Sequence, residues 1–485
     1  MHTHDAKTDN SAAQPPDYSP TRKLADLPGP RKLPLFGNTH QIDSARFHVT
    51  LENWAREFGP LYKIYLGSRP LVVLSDNAVI AHLLRDRPHG LRRSSRMSSM
   101  IEESVARGLF TAEGEEWRTQ RRLVMRALAP EVVHHFFPTL VTLTERLLRR
   151  WRGEIAKGRP VDVLRDLKAW TLDVTLGLAM GQDVNTLEHE ENPLQRDVEF
   201  LFKCLGRRLS SPFPYWRYIK LPADRRALAS AARVQQTVAS LVVQTRKRLY
   251  DNPVLRLMPS NMLEAMIVAR DEPGSGFTDS NVIGNAVTMV FAGEDTTSNT
   301  IAWLLHFLAR DEQVAACITA EADMVLAGRP IANEFRQLDQ LIYIEAATKE
   351  AMRLKPVAVI LALETNIDTP IRDALIPAGT IIICVMRNSA QRDTSVGNPD
   401  EFMPERWLSA EQSALMDDPA RKMFPFGGGP RFCPGRYLAM AEIKILVSML
   451  AKNFEMTLVD NAPAVNERYT LTMTPDALPV RLRRR

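Results

Sequence analysis

A mainly α-helical fold with a minor β-sheet, closed into a single domain, is what this sequence predicts, on three observations. From about residue 114 to 355 apolar positions recur at helical spacing. Short β-branched runs are confined to either side of that block. One stretch, TDSNVIGNAVTMVFAGEDTTSNTIAWLLHFLAR, runs from Thr278 to Arg310 and at ~1.5 Å per residue can cross the whole molecule. The chain has 485 residues, 45% of them hydrophobic, enough to bury a large core.

Residues 1–26 are rich in Ser, Ala, Pro and charge and are expected to form a flexible tail. A Pro/Gly-punctuated segment, LPGPRKLPLFGN, opens the domain, which is taken to span residues 27–485. PLYKIYLG and PLVVLSD, separated by turn residues, read as a hairpin or sheet edge. The segments GEEWRTQRRLVMRAL, VVHHFFPTLVTLTERLLRRW and LKAWTLDVTLGLAM read as amphipathic helices. Thr278 is a suitable N-cap for the long helix. Strands return after residue 355, as in TIIICVMR, followed by a Gly-rich loop and a last helix expected to start at Pro434. No internal repeat and no linker interrupts residues 27–485.

A net charge of +5 suits a local basic patch better than a nucleic-acid-binding surface. The four cysteines, Cys204, Cys317, Cys384 and Cys433, show neither CxxC pairs nor zinc spacing, which points to a reducing compartment. The N-terminus has no apolar signal region, and no run approaches the ~18 apolar residues of a membrane span. A soluble, cytoplasmic protein is expected. His134-His135 is better read as an incidental helical pair than as a metal site, and Cys204, Cys317 and Cys384 as buried small hydrophobes.

The loop FPFGGGPRFCPG, residues 424 to 435, is the most informative segment. It places Cys433 just before Pro434, where a helix N-terminus favours a thiolate. Gly427, Gly428 and Gly429 permit a tight turn against a flat ligand. A lone Cys-Pro-Gly would be a structural cysteine beside a turn. The full spacing Phe426-x-x-Gly429-x-Arg431-x-Cys433-x-Gly435 is far more specific, and it resembles the haem-binding signature of the cytochrome P-450 family at every fixed position.

Other motifs follow in that family's order. In the long helix, Ala292-Gly293-Glu294-Asp295-Thr296-Thr297 places Gly, Asp and Thr where they weaken a helix. A tolerated polar face is the bland reading. The chemical one is a kinked helix with a notch for oxygen and water. By resemblance Asp295 supplies protons, Thr296 is the hydroxyl beside the oxygen, and Ala292 and Gly293 face the cofactor. Glu350-x-x-Arg353 with Arg406 resembles the family's buried Glu-Arg-Arg cluster, a structural role. Trp117 and Arg121 share a helix face; the resemblance implies that both reach a haem propionate, as Arg431 does from the loop. Many members carry an arginine where this chain has Glu364, which removes one expected propionate contact.

The resemblance implies a triangular single domain with haem b between the long helix and the helix after the cysteine loop. It implies a monooxygenase that inserts one atom of O2 into a lipophilic substrate, by hydroxylation or epoxidation. The expected pocket comprises Met289, Phe291, Val357, Val359, Ile360, Leu361, Leu471 and Met473, with PFPYWRYIKLP above it and Arg92, Arg93 and Arg96 in a covering loop. A monomer is expected, with neither nucleic acid nor a membrane span. No second redox module fits in this length, so a separate ferredoxin or flavodoxin with its reductase is expected. Its docking patch is placed at Arg118, Arg122, Arg126, Arg421 and Lys422. The rival readings are a peroxide-driven peroxygenase and a non-enzymatic haem sensor or carrier.

Overall fold

The long apolar stretch forms one unbroken helix from Asp279 to Leu308, hereafter the central helix. Its start is fixed by a reciprocal cap: the Asn281 N–H donates to the Thr278 hydroxyl at 3.2 Å, and the Thr278 N–H donates to the Asn281 side chain at 3.0 Å. The computed structural model describes residues 20–104, 106–188, 193–209, 211, 213–387, 398–408 and 423–485.

The central helix is apolar nearly all round, and it is accordingly surrounded. Helices Val163–Met180, Pro222–Asp251, Met262–Asp271, Ile342–Leu354 and Arg436–Asn453 all pack against it. Val282, Val287, Val290, Ile301, Leu304 and Leu305 are fully buried there. Each such side chain contributes roughly 1.5–3 kcal/mol by leaving water, which lets one helix carry several poor helix formers without breaking.

Beside this bundle lies a five-stranded sheet in the order Leu61–Leu66, Arg69–Leu74, Ile381–Val385, Ile360–Thr365, Leu91–Arg93. The expected hairpin is its first pair, with Leu61 opposite Leu74 and Leu66 opposite Arg69. Ile381–Val385 is buried along its whole length and lies between Arg69–Leu74 and Ile360–Thr365. Of the tail expected over 1–26, residues 1–19 lie outside the described residues. Arg22–Lys23 pairs in parallel with Ala374–Leu375, and Leu24–Asp26 forms a single 3-10 turn.

One polar cluster fastens the segment leading to the cysteine loop. Glu350 is fully buried and accepts from Arg353 at 2.8 and 2.9 Å, Arg406 at 3.2 Å, the Trp407 indole at 2.9 Å and the Met403 N–H at 3.1 Å. The two guanidiniums extend the network to backbone carbonyls: Arg353 to Pro399 at 2.7 Å and Glu401 at 3.1 Å, Arg406 to Asn398 at 2.8 Å. The expected Glu-Arg-Arg set is thus in contact, with Trp407 and Met403 added. Glu350→Ala leaves two buried cations and an indole N–H short of an acceptor, and should cost ~3–5 kcal/mol, a large share of a typical fold's stability. Chemical unfolding measures it; a loss under about 1 kcal/mol would show that the cluster is not needed.

Candidate active site

The final helix begins at Arg436, with Pro434 and Gly435 forming the turn before it, two residues later than the sequence suggested. Cys433 therefore lies just ahead of the helix end, where the Gly435 and Arg436 N–H groups are still free to point at its sulfur. Burial pushes the Cys433 thiol up; those N–H groups and the Arg121 and Arg436 charges oppose it without cancelling it. The loop is pinned by a 2.7 Å bond from the Cys433 N–H to the Phe426 carbonyl. Gly429 has φ +63°, and a side chain there would strike the backbone oxygen of Leu84, so the glycine is required twice over.

A cluster of arginines lies beside the loop. Arg431 donates to the Ala112 carbonyl at 2.8 Å, pairs with Glu113, and lies 4.7 Å over the Trp117 ring. Burial lowers its guanidinium to about 10 despite Glu113. Arg121 lies 4.4 Å over the Phe432 ring and is also lowered by burial. Two further arginines join them: Arg87, which was not singled out from sequence, and Arg93, which was expected in the loop over the pocket. Arg87 is 3% exposed, and Arg93, 3.7 Å over the Phe110 ring, is driven down to about 9 by burial and by repulsion from Arg87 and Arg431. Among the described residues, Glu113 is the carboxylate that acts on all of Arg87, Arg93 and Arg431. Buried nitrogens on Arg87, Arg93, Arg121 and Arg431 have no hydrogen-bond partner among the described residues. A buried surplus of positive charge with empty donors is built for an anion.

Glu364 proves to have another task. It takes the Ser95 N–H at 2.9 Å and the Ser95 hydroxyl at 2.6 Å, pairs with Arg92, and is held below the usual carboxylate range by these contacts against the effect of burial. Arg96 bonds the Ser211 carbonyl. Of the three arginines expected over the pocket, then, only Arg93 faces the cluster.

On the central helix Ala292 is exposed, although Val287 and Val290 before it are fully buried. Thr296 donates to the Ala292 carbonyl at 2.8 Å, keeping its oxygen free to accept. The Asp295 carboxylate accepts from Thr472, whose hydroxyl also takes a bond from Asn299 at 3.4 Å. Thr472 carried no sequence signal, being far away in the chain. Phe291 is partly exposed 5.1 Å from the Phe202 ring, and Ile360, Leu361 and Leu471 keep exposed surface. Met289 and Val357 are buried, Val357 in the core cluster around Trp303. Val359 and Met473 have no exposed surface: they pack around Trp303, a core cluster rather than a pocket wall.

The remaining polar expectations resolve structurally. His134 bonds the Tyr437 hydroxyl at 2.7 Å and packs on Phe335, and no metal-holding group of His, Cys, Asp and Glu occurs among the described residues. Cys204 and Cys384 are buried, the latter's thiol pushed up to about 12 by burial, but Cys317 is exposed, contrary to expectation. On the expected docking patch, Arg118 pairs with Glu115 and Arg126 with Glu272, Arg122 is exposed, and Arg421 and Lys422 lie outside the described residues.

A half-buried thiol, empty arginine donors for carboxylates beside it and a central helix that leaves Ala292 exposed fit a flat iron-bearing cofactor with acidic side arms. The cytochrome P450 family model matches residues 27–479, and the chain belongs to that family, whose cofactor is a thiolate-bound haem. It is 28% identical, over 94% of its length, to a bifunctional cytochrome P450/NADPH–P450 reductase of Aspergillus oryzae, of which the match covers 41%. It is 26% identical to the self-sufficient cytochrome P450 monooxygenase CYP505E5 of Aspergillus kawachii, over 94% of this chain and 43% of that one. A bifunctional cytochrome P450/NADPH–P450 reductase of Acremonium egyptiacum is also 26% identical, over 93% and 42%. The chain thus spans about two-fifths of the length of these relatives. Their names overturn the expectation of a separate ferredoxin or flavodoxin, because in these proteins the P450 and its reductase are one chain. No helix among the described residues is long and apolar enough to cross a membrane.

The arginine cluster makes a prediction with two opposite signs. Arg93→Leu removes a buried, poorly paired cation, so the haem-free chain should gain about 1–3 kcal/mol of stability. The same change should speed haem loss severalfold. Unfolding of the haem-free chain and haem transfer to an acceptor protein measure the two; destabilisation of the haem-free chain would mean that the cation is satisfied by protein alone.

Proposed function

We propose that residues 27–485 form the catalytic domain of a monooxygenase that binds haem b through Cys433, oxidises a lipophilic substrate and receives electrons from an NADPH–P450 reductase. The observation that supports it best is the occurrence together of a half-buried Cys433 with its arginine cluster and of Asp295 and Thr296 on the central helix. When bound, the haem supplies the reductive activation of dioxygen.

The chain's own residues divide the rest of the work. The Gly435 and Arg436 N–H groups stabilise charge on the Cys433 sulfur. Arg87, Arg93, Arg121 and Arg431 neutralise the propionates, guanidinium being well matched to carboxylate, and the Trp117 ring supports Arg431. Phe426 anchors the loop through its carbonyl, and Gly435 lets the chain turn into the helix. Ala292 and Gly293 keep the central helix thin where oxygen has to fit. Asp295, steadied by Thr472, releases a proton, and Thr296 turns its hydroxyl from the Ala292 carbonyl to hold that proton near the oxygen.

The partly exposed Phe291, Ile360, Leu361 and Leu471 offer an apolar wall with few fixed polar contacts. Binding then comes from area, at roughly 25 cal/mol per Å², which suits a medium to large lipophilic molecule. The relatives' fused reductases motivate the donor. Free cysteines, with Cys204 and Cys384 buried, fit a cytoplasmic, reducing setting.

Product formation with NADPH and an NADPH–P450 reductase, set against hydrogen peroxide alone, tests the reading. Product only with peroxide would make the protein a peroxygenase, and none under either condition a carrier. Thr296→Ala should leave haem and substrate binding intact while product per NADPH falls and peroxide release rises. Asp295→Asn should slow turnover by about a hundredfold, the range of a lost general acid. Unchanged coupling in Thr296→Ala would remove that hydroxyl from the mechanism.

A further inference from the structure

The apolar pocket has two sides, and each carries a short segment that runs on from it. Strand Leu91–Arg93 pairs with Ile360–Thr365, the strand that offers Ile360 and Leu361 to the pocket, and leads through Ser94 into helix Ser95–Ser104. On the other side is helix Pro193–Leu209, whose Phe202 ring lies 5.1 Å from Phe291 of the central helix. That helix is followed by the aromatic segment Phe213–Arg217, and it is also in contact with helix Ser95–Ser104.

Glu103, in the last turn of helix Ser95–Ser104, joins the two sides and has no part in the reading above. Its Oε2 accepts from the Trp216 indole N–H at 2.9 Å, and its Oε1 accepts from Arg217 at 2.6 and 2.8 Å. At the first turn of the same helix Arg96 bonds the Ser211 carbonyl. Burial raises the Glu103 carboxyl, but the Arg217 and Trp216 bonds hold it below the usual carboxylate range, so it meets Arg217 as an anion.

The two ends of this junction are not equally firm. Trp216 is 5% exposed and lies under Arg208, 5.0 Å from its ring, and Arg208 pairs with Asp224 at the start of helix Pro222–Asp251 at 3.1 Å. The aromatic segment is thus fixed to its own side. The Glu103 carboxylate and the Arg217 guanidinium, by contrast, both still meet water. Ion pairs that stay wet are weak, so this junction can part while the helices behind it stay packed.

We propose that Glu103 is a latch across the mouth of the pocket, and that its release from Trp216 and Arg217 sets how fast a lipophilic molecule enters and leaves; the proposal rests on the lipophilic haem pocket read above. The latch is closed both before and after binding and opens only during passage. Losing it therefore speeds entry and exit alike and leaves affinity nearly unchanged. A ligand small enough to pass without parting the two sides does not sense it.

The test mixes the ferric haem-loaded chain with dodecylimidazole, a lipophilic ligand for the iron, and follows the Soret shift in time; imidazole is the small control. Glu103→Ala should bind and release dodecylimidazole about threefold to tenfold faster, the population change expected from losing one wet ion pair and one hydrogen bond. Its affinity for dodecylimidazole, its imidazole kinetics and its haem content should match wild type. Trp216→Phe keeps a ring under Arg208 and loses the N–H, and should shift both rates in the same direction. The double variant should be no faster than Glu103→Ala alone, because both changes remove one interaction. Dodecylimidazole rates in Glu103→Ala that equal those of wild type, or that rise together with the imidazole rates, overturn the latch. Wild type whose iron takes imidazole but not dodecylimidazole overturns the lipophilic pocket instead, and the latch with it.

Discussion

A thiol shut away from water ionises only if something positive shares the charge, and the rest of this molecule is arranged around that constraint. Cys433 is half-buried at a helix start, and the N–H groups and arginines near its sulfur do not offset its desolvation. An iron ion supplies what the protein withholds. The arginine cluster poses the converse problem, cations whose donors stay empty until a carboxylate arrives. Two unsatisfied charges of opposite sense, side by side, specify a cofactor that is cationic at its centre and anionic at its edge.

The two buried ionic clusters show how satisfaction separates scaffold from site. Around Glu350 both acid oxygens are taken and both guanidiniums run on to backbone carbonyls. Nothing is left over to bind, and the cluster holds the segment before the cysteine loop. Around Arg87, Arg93 and Arg431, Glu113 is the acid that the three mutually repelling cations share. Similar side chains act as a fastener in one place and a receptor in the other, and the difference lies in the count of acceptors. The central helix repeats the pattern, with Asp295 engaged by Thr472 and, one residue earlier, the Glu294 Oε2 without a partner among the described residues.

Much of this was legible in the sequence where local spacing carries the chemistry. The cysteine loop, Glu350 with Arg353, and the Thr278 cap are each defined within a few residues, and all formed as expected. Long-range partners were not legible. Thr472 reaches Asp295 across 177 positions, and Arg87 meets Arg431 only once the sheet and the cysteine loop come together. Aliphatic composition could not separate pocket from core, so Val359 and Met473 entered the expected pocket although they pack around Trp303. Glu364 looked like a missing cation in sequence and is a partner for Arg92 and Ser95 in space. The reductase of the fused relatives lay beyond any reading of this chain's residues, because it belongs to those proteins' longer chains, of which the match covers about two-fifths.

The most direct measurement is the absorption spectrum of the reduced protein under carbon monoxide. Thiolate ligation by Cys433 requires the strongly red-shifted Soret band in wild type and its loss in Cys433→Ser, while the other cysteines remain in place. A red-shifted band that survives in Cys433→Ser, or one that never forms in haem-loaded wild type, contradicts the assignment of Cys433 as the iron's ligand.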